Sequence, residues 1–427
     1  MKRILSSLLA LALPVSALAA GFALEDGSVR GNAVPGELTA KGGVPSAQYF
    51  NPAAITGLPG TQLEAGATFI KPWADVKTVS PYTGTTSVGH GHSKVWSIPN
   101  AYATHQINDA LFFGLGLYTR FGLGAKFPSD WAGRYNSIKA EILSFDLAPV
   151  LAWKVSDRLS LAAGIDIRYF DIELSQQIDA AGAAGLRPYN DPAPSPYDVR
   201  QTFHGDDILP AVDLGATFKV TDTVTAGLAY HSRIKYHVKG DAKWEKPPAV
   251  AAMAPQFFND CDFDAWNYNP DKVMAGVAWD ATEKLTLSAG LTYTLWHLYD
   301  DLVIHVAKPE LMGRDKVTSE KKWHDVFRAS AGASYKLSDE WGVRAGYTFD
   351  QSPINGAHTD YLVPGDDRHL FSVGADWTKG AWTVDASYFY EVVADFDVKG
   401  DPKHGTFDGK FQDASGHAVA LALIRRF

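Results

Sequence analysis

Three small groups of residues have types and spacings that could carry chemistry. His231 precedes Ser232, and such a pair could supply the base and the nucleophile of a lipase. Lys321 and Lys322 are adjacent cations that could bind a carboxylate. The third group combines arginines with aspartates in the C-terminal third of the chain: Arg328, Arg344, Asp350, Arg368 and Asp376. Which chemistry is possible depends on the elements that position these side chains.

No catalytic or cofactor-binding motif accompanies these residues. The sequence has no G-x-S-x-G, Walker A or G-x-G-x-x-G run in a strand-to-helix context. Its His and Cys residues do not have the spacing of a metal site. We therefore predict no cofactor, no metal and no enzymatic activity. A lipase that uses His231 is kept as the enzymatic alternative.

The first residues have the three regions of a secretory signal peptide. In MKRILSSLLALALPVSALAA, two cations precede an apolar run from Ile4 to Val15 and a small-x-small site at Ala17 to Ala19. The run is shorter than the ~20 residues that a membrane-spanning helix needs. We predict that residues 1–19 are a signal peptide cleaved near Ala19, which implies export.

The remaining chain has the composition of a β-rich protein. It contains all of the 12 Trp, 18 Tyr, 22 Phe and 38 Gly residues, and aromatic side chains favour strands. The single cysteine, Cys261, excludes an intrachain disulfide, so a closed barrel is the expected source of stability. The formal charge of −9 gives no electrostatic basis for binding nucleic acid, which we exclude as a partner.

From Thr61 onward, segments of roughly 10 residues alternate between apolar and polar, as transmembrane β-strands do. In WGVRAGYTFD, for example, Trp341 and Phe349 share a face opposite that of Arg344 and Asp350. We predict an all-β fold: a fourteen-stranded antiparallel transmembrane β-barrel. The predicted strands begin near Thr61, Ser93, Ala110, Ala140, Arg158, Asp207, Thr223, Asp271, Glu283, Trp323, Glu340, Arg368, Ala381 and Ala414.

A soluble β-sandwich would also alternate, but two features favour the membrane barrel. Aromatic residues lie at the ends of the apolar faces, as interfacial girdles do. The last segment, HAVALALIRRF, alternates up to Phe427, and a terminal aromatic resembles the signal recognised by the bacterial barrel-assembly machinery. We therefore expect that machinery to act on this chain during insertion.

The connections between the predicted strands differ in length at the two ends of the barrel. Short turns such as Asn108-Asp109 and Ser156-Asp157 are expected to face the periplasm. Two long loops, at about 176–205 and 240–270, are expected outside. The second contains PPAVAAMAPQFF, which predicts an exposed apolar groove for substrate. Its residues are Pro248, Val250, Met253, Phe257 and Phe258.

Alternation places the arginines and aspartates of the third group in the lumen. A charge on the lipid face near the midplane would cost ~2–4 kcal/mol, so the inward placement is favoured. We interpret Arg328, Arg344 and Arg368, with Asp350 and Asp376, as a network that ties the barrel wall to whatever fills the bore.

The chain resembles the FadL family of outer-membrane transporters of long-chain fatty acids and hydrocarbons. The resemblance begins with the start AGFAL at Ala20 and the NPA sequence at Asn51, Pro52 and Ala53. It continues through IPNAYATHQIND, RFGLGAKFPSDWAGRY, WHDVFRASAGASYKLSDEW, GYTFDQSP and VPGDDRHLFSVGADW, over nearly the whole chain after the leader.

The resemblance implies a barrel over residues 61–427 plugged by an N-terminal hatch over residues 20–60. The hatch would include Asn51, Pro52 and Ala53 and would fold inside the lumen, because irregular backbone at membrane depth must be shielded from lipid. The resemblance also implies an inward bend of the third strand that opens a gap for lateral release. In this sequence the bend would comprise Phe121, Gly122, Leu123 and Gly124.

The resemblance further implies basic residues around a substrate site. Lys321 and Lys322 stand at one of the family's basic positions, but Gln176 stands where the pattern expects the other cation. This departure keeps a channel for aromatic or aliphatic hydrocarbons open as an alternative to fatty-acid transport. A porin for small polar solutes is the alternative from another class.

We predict a monomer in the Gram-negative outer membrane that passively takes up hydrophobic small molecules, with outer-membrane lipids as its other partners.

Overall fold

A computed structural model describes residues 21–91, 94–307, 315–363 and 365–427. The predicted signal peptide lies outside the described residues. The strands are β1 (Thr61–Val79), β2 (Thr86–His90), β3 (Trp96–Gln106), β4 (Leu111–Tyr118), β5 (Gly122–Lys126), β6 (Lys139–Lys154), β7 (Leu159–Asp179), β8 (Asp198–Lys219), β9 (Val224–His231), β10 (Ile234–Glu245), β11 (Cys261–Asn269), β12 (Lys272–Asp280), β13 (Leu285–Thr294), β14 (Asp301–Val306), β15 (Lys316–Glu320), β16 (Val326–Lys336), β17 (Trp341–Asp350), β18 (Arg368–Lys379), β19 (Trp382–Val393), β20 (Phe396–Val398) and β21 (Gly409–Arg426).

Helical structure is short and scattered. The α-helices are α1 (Pro35–Ala40), α2 (Ala180–Ala183) and α3 (Pro248–Met253). Short 3₁₀-helices occur at Pro45–Tyr49, Pro52–Gly57, Trp296–Leu298, Gly356–His358 and Pro402–His404. Within the described ranges, no helix is long and apolar enough to cross a membrane.

The strands form one closed antiparallel barrel of fourteen barrel strands, which confirms the predicted fold class. β1 closes the sheet by pairing with β21 from Gln62↔Arg426 to Thr78↔Gly409. Five barrel strands are each interrupted once, and their two parts are β4 with β5, β9 with β10, β11 with β12, β13 with β14, and β15 with β16. β2 and β20 only extend the hairpins at one end.

Side chains alternate between a lipid-facing surface and the bore. Leu421 and Leu423 of β21 are about half exposed, whereas Ala420 and Ala422 between them are buried. Similar apolar side chains cover the outside of the other strands, as a membrane barrel requires. On β17, Trp341 is exposed and Arg344 is buried, as the alternation predicted.

Connections are short at one end of the barrel, the turn end, and long at the other, the loop end. The strands extend further into both predicted loops than the sequence pattern indicated. β7 and β8 leave only residues 180–197 as a connection, and β10 and β11 leave only 246–260. The predicted bounds of 176–205 and 240–270 are therefore too wide. The reason is that polar strand residues beyond the membrane still pair in the sheet, and alternation of hydrophobicity does not detect them.

Residues 21–60 lie inside the bore, and we call them the hatch. Most of their side chains are fully buried, from Phe22 and Leu24 through Phe50 and Ile55. Their backbone forms α1 and two 3₁₀ turns, which satisfy part of their own hydrogen bonds. The stretch Tyr49 to Gly60, with its two prolines and two glycines, thus belongs to the plug.

Glycines on the inner wall let the hatch backbone lie directly against the barrel backbone. A Cβ added at Gly227 of β9 would be 1.9 Å from the Thr39 carbonyl oxygen, and one at Gly346 of β17 would be 1.9 Å from that of Ala33. Glycine in a strand often marks such a close approach. The inner wall repeats this arrangement at Gly276, Gly290 and Gly332.

Asn51 fixes the hatch to the wall through its amide group. Its Oδ1 accepts a hydrogen bond from Ala53 N–H at 3.0 Å, which caps the 3₁₀ turn that begins at Pro52. Its Nδ2 donates to the carbonyl oxygens of Thr39 at 2.7 Å and of Ala216 in β8 at 2.9 Å. The NPA sequence therefore joins two parts of the hatch to the sixth barrel strand.

We predict that Gly346→Val unseats the hatch. The new side chain overlaps the Ala33 carbonyl, and overpacking of this kind costs roughly 1–3 kcal/mol. Purified protein in planar bilayers should show frequent openings that the wild type lacks. Gly356→Val is the matched control, because a Cβ there has nothing within 4 Å. Equal, low conductance in both variants would contradict the seating described here.

Candidate functional site

The largest group of buried apolar side chains lies in the loop-end half of the bore, and we call it the loop-end cluster. It is formed where the hatch start, the interrupted strands and the two long connections meet. Its members include Phe22, Phe121, Phe170, Phe203, Tyr236, Val250, Phe258, Phe263, Trp296, Tyr299, Trp323 and Val326. This is the part of the bore with the chemistry to hold an apolar molecule.

At the centre of this cluster, Phe22 is enclosed by aromatic rings. Its ring centroid lies 4.8 Å from that of Trp296, 5.5 Å from that of Tyr299 and 5.8 Å from that of Trp323. Gly21, with φ +68°, permits this approach, because a Cβ there would be 2.7 Å from the Trp323 ring. The first described residues of the hatch therefore occupy an aromatic cage.

The loop with the apolar run closes the cluster from above. Val250 of α3 and Phe258 are buried and belong to the loop-end cluster, and Phe257 packs against it. Pro248 and Met253 point to solvent. The prediction of an exposed groove is therefore wrong, because the loop folds back and buries Val250, Phe258 and part of Phe257.

The two predicted substrate-binding lysines lie in different environments. Lys321 is buried at the loop-end cluster, and its amine is paired with the Asp360 carboxylate. Lys322 is exposed and bonds Asp300 Oδ2 at 3.0 Å, an interaction that raises the pKa of the Lys322 amine. Only Lys321 is positioned beside the apolar interior.

Gln176, the third predicted contact, lies near the loop end of β7. Its Nε2 donates to Gln201 Oε1 of β8 at 3.1 Å. The pair is an uncharged bridge between the fifth and sixth barrel strands, so this position contributes no positive charge.

The third barrel strand is interrupted at Thr119 to Phe121, between β4 and β5. β4 pairs with β3 from Ala101↔Leu117 to Gln106↔Phe112, but β5 pairs only with β6. Residues 96–100 of β3 therefore face no strand on this side. We call this interruption the first seam. Gly122 is the first residue beyond it, and Leu123 and Gly124 continue along β5.

The hatch start covers the free edge of β5 at the first seam. Gly122 N–H donates to the Phe22 carbonyl at 2.9 Å, and Leu24 N–H donates to the Arg120 carbonyl at 2.8 Å. Ala23 and Phe121 form an isolated antiparallel bridge. The segment that fills the aromatic cage thus also completes the broken strand.

The predicted lumen charges form two clusters at different heights. Asp350 bonds Arg328 Nη1 at 2.7 Å and also bonds Arg368, whose Nη1 reaches Glu391 at 3.2 Å. Arg344 bonds Asp376 and Asp385, and hatch residue Arg30 joins both carboxylates at 3.0 and 3.3 Å. The second cluster therefore connects hatch and wall directly.

A third charge cluster, not predicted from the sequence, lies beside the first seam. Arg120 bonds Asp166 at 3.3 Å and Asp213 at 3.4 Å, and Arg168 bonds Asp146 and Asp166. All five side chains are at most 2 % exposed. The sequence does contain an indication of this cluster. Alternation places four charged residues that lie among apolar neighbours on the inner face of adjacent strands: Asp146, Asp166, Arg168 and Asp213.

His231 belongs to this third cluster and is not placed as a lipase base. Its Nδ1 is 2.7 Å from Asp213 Oδ1, and its ring is buried. The Ser232 hydroxyl accepts a hydrogen bond from Val212 N–H at 2.8 Å. Both side chains therefore make structural contacts within the barrel wall.

Comparisons with known proteins place this architecture in one family. The sequence profile described as "Outer membrane protein transport protein (OMPP1/FadL/TodX)" matches residues 10–427. A Neisseria meningitidis outer-membrane protein is 26% identical over 88% of this chain and 87% of its own length. The long-chain fatty acid transport protein of Salmonella typhi is 23% identical over 79% and 78%, respectively.

Solved structures show the same fold. A FadL homologue of Pseudomonas aeruginosa superimposes with a TM-score of 0.84 at 22% identity, covering 95% of this chain and all of that one. The toluene transporter TodX of Pseudomonas putida gives a TM-score of 0.67 at 16% identity, covering 90% of this chain and 94% of its own.

The profile match over nearly the whole chain, together with the plugged barrel, confirms the family resemblance and the outer-membrane location. The chain therefore belongs to the OMPP1/FadL/TodX family of outer-membrane transport proteins and is not an enzyme.

Proposed function

We propose that this protein takes up hydrophobic compounds passively, by binding them in the loop-end cluster and releasing them sideways through the first seam. The observation that carries the proposal is the double role of residues 22–24. They fill the aromatic cage and also cover the open edge of β5. One displacement of the hatch start would therefore free both the binding place and the gap.

The coupling follows from the contacts of Phe22. An apolar molecule that enters the cage competes with the Phe22 ring for Trp296, Tyr299 and Trp323. When the ring leaves, the hydrogen bonds of residues 22 and 24 with the third strand are lost as well. The binding energy of the apolar molecule offsets this loss, because burial stabilises by about 25 cal/mol per Å² of apolar surface.

A path straight through the bore to the periplasm is lined by charged side chains and is therefore unfavourable for an apolar molecule. At the turn end, a cleft of about 530 Å³ lies below the hatch. Charged side chains from hatch and wall line it, among them Arg30, Lys41, Asp280, Lys284 and Arg344. An apolar molecule would exchange apolar contacts for charged ones on this route. Lateral release into lipid avoids this charged cleft, and the charges beside the first seam are paired with one another and buried.

The charges beside the cluster favour a neutral hydrocarbon as the second candidate substrate. Lys321 already has Asp360 as its partner, and Gln176 supplies no charge. A fatty-acid carboxylate would have to compete with Asp360 for the amine. Relatives of both kinds exist, since the matches include long-chain fatty acid transport proteins and a toluene transporter.

Uptake by whole cells distinguishes the two substrates. Cells with and without the protein are given oleate or toluene, and the molecules that copurify with the detergent-extracted protein are identified by mass spectrometry. Uptake that is the same in cells lacking the protein, for both compounds, would refute the proposed function.

We predict that Gly122→Ile slows delivery several-fold without reducing the amount of bound substrate. The β-branched side chain narrows the first seam, where Gly122 follows the interruption of the third barrel strand. The measurement compares uptake by cells with ligand retained by purified protein. Gly356→Ile, at an open surface position, should behave like the wild type. A parallel loss of binding and uptake would contradict release at this place.

We predict that deletion of Phe22 to Gly60 converts the closed barrel into a conducting one. The hatch fills the bore, so its removal leaves a water-filled lumen with charged walls. Planar-bilayer conductance should be low for the wild type and high for the deletion. High conductance of the wild type would instead support a porin for small polar solutes.

A further inference from the structure

The barrel wall has a second interruption, between the sixth and seventh barrel strands. β8 pairs with β10 up to Asp206↔Lys239 and with β9 from Asp213↔His231. Between these points, residues 207–212 of β8 and residues 232–238 form no ladder; one backbone hydrogen bond, from Ser232 N–H to the Val212 carbonyl at 2.9 Å, closes the turn-end side of the interruption. β8 itself stays paired with β7 over this whole range. We call this interruption the second seam.

The N–H groups on this edge of β8 are satisfied without a backbone acceptor on the seventh barrel strand. Val212 N–H donates to the Ser232 hydroxyl at 2.8 Å, which shows that residues 208, 210 and 212 direct their nitrogens toward the seventh barrel strand. Ile208 N–H donates to Asp207 Oδ1 at 2.8 Å. Pro210 has no N–H. The edge can therefore stay open without buried unpaired donors.

The opposite edge is held in the same way. His237 N–H donates to Asp207 Oδ2 at 2.9 Å, so one carboxylate serves both sides of the second seam. A proline in the interior of a sheet would remove a ladder bond, and Pro210 accordingly directs its nitrogen to the side of β8 that has no ladder.

The second seam differs from the interruptions in the eighth to tenth barrel strands. Those are filled by the helical turn Trp296–Leu298 and by backbone bonds such as Leu295 N–H to Asp271 O at 3.0 Å. At the second seam, β8 runs on without a break and β10 resumes at Ile234. Two extended edges thus face each other with side-chain bridges between them.

Apolar side chains of both edges line the inner side of this seam, and those of β8 line its outer side. Inside, Ala211 and Ile234 belong to the loop-end cluster and Leu209 packs against it. Outside, Ile208 is 54% exposed and Val212 is 46% exposed. The β8 edge is therefore apolar from the cluster to the lipid face, whereas the facing edge carries Lys235 and His237 on its outer side and the Asp207 carboxylate bridges the two edges.

A lysine beside two aromatic rings, an arrangement typical of the membrane–water interface, places the second seam at the outer leaflet. Lys235 Nζ lies 4.5 Å from the Trp266 ring centroid and 5.3 Å from that of Tyr268, on the outer face of β10 and β11. Aromatic residues with a cation mark the boundary between hydrocarbon and headgroups. The seam lies beside this group, on the loop-end side of Leu214.

The third charge cluster connects the two seams. Arg120, in the first seam, and His231, at the edge of the second, bind opposite oxygens of the same carboxylate, Asp213. Both seams also open from the same loop-end cluster, which contains Phe121 as well as Ala211.

We propose that the second seam is a second lateral gate, through which molecules built on an apolar chain pass between the loop-end cluster and the outer leaflet. This inference rests on the proposed function, because it needs substrate in the cluster. It adds an exit in parallel with the first seam.

The test is a double-block experiment on delivery by whole cells. Ala211→Trp fills the inner side of the second seam, and Gly122→Ile blocks the first. Delivery by each variant is expressed as a fraction of wild-type delivery. With two parallel exits, each single variant keeps part of this delivery. The fraction for the double variant falls far below the product of the fractions for the two single variants. Leu214→Trp, on the lipid face of the same strand, is the matched control and should match the wild type in both backgrounds.

A double variant that equals the product of the single ratios would overturn the gate, because it would mean that Ala211→Trp only shrinks the binding place. Gly122→Ile that abolishes delivery alone would also overturn it. A wild type that delivers no more than cells lacking the protein would refute the proposed function instead.

A second measurement uses the wild-type chain and so does not depend on variant folding. Hexadecane with a terminal diazirine is photolysed in the protein reconstituted in vesicles, and the labelled residues are mapped by mass spectrometry. Leu209 and Ile234 belong to or pack against the loop-end cluster, so labels there report binding only. Labels at Ile208 or Val212 that exceed those at Leu214, on the lipid face of the same strand, support the second gate. Labels at Phe121 or Trp323 without such an excess overturn the gate alone. An absence of labels in the whole bore overturns both proposals.

Discussion

Backbone N–H and C=O groups at membrane depth have no water to bond, and the rest of this structure depends on that constraint. A closed sheet satisfies these groups along most of the wall, from β1 back to β21. The hatch has no regular sheet of its own, so it can exist at this depth only inside the barrel. There, its short helices, the Asn51 amide and the wall carbonyls complete its hydrogen bonds.

The same constraint explains how the hatch is held. Inner-wall glycines bring hatch and barrel backbones into contact, so their fit depends on the absence of side chains at Gly227 and Gly346. Ion pairs between hatch and wall then fix the lateral position of the hatch. Arg30 of the hatch pairs with Asp376 and Asp385, and Lys272 of β12 pairs with Glu25 of the hatch at 2.5 Å. Buried ion pairs contribute little net stability because desolvation offsets them, but a lone charge there would cost several kcal/mol. Such pairs favour one seating of the hatch over others.

An interrupted barrel strand requires substitutes for the missing ladder, and each seam has its own. At the first seam the substitute is the hatch start, which contacts the wall through the Phe22 ring and the backbone of residues 22–24. At the second seam the substitutes are Ser232, Asp207 and the missing N–H of Pro210. The lateral transport that we propose relies on these substitutes, because fewer backbone hydrogen bonds have to break at a seam than in a continuous ladder.

The sequence by itself determined the barrel, its strand count and the face of the sheet on which its charged side chains lie. Period-2 alternation is a local property, so Trp341, Arg344 and Asp350 could be assigned to faces from neighbouring residues alone. The prolines and glycines from Tyr49 to Gly60 likewise marked irregular backbone. The tertiary structure alone decided which groups meet. Lys321 pairs with Asp360, Arg120 with Asp213, and Val250 and Phe258 turn inward. These contacts join residues far apart in the chain, and they follow from strand register and loop path. Alternation fixes neither, because it gives the same pattern for every pairing that keeps apolar side chains outside.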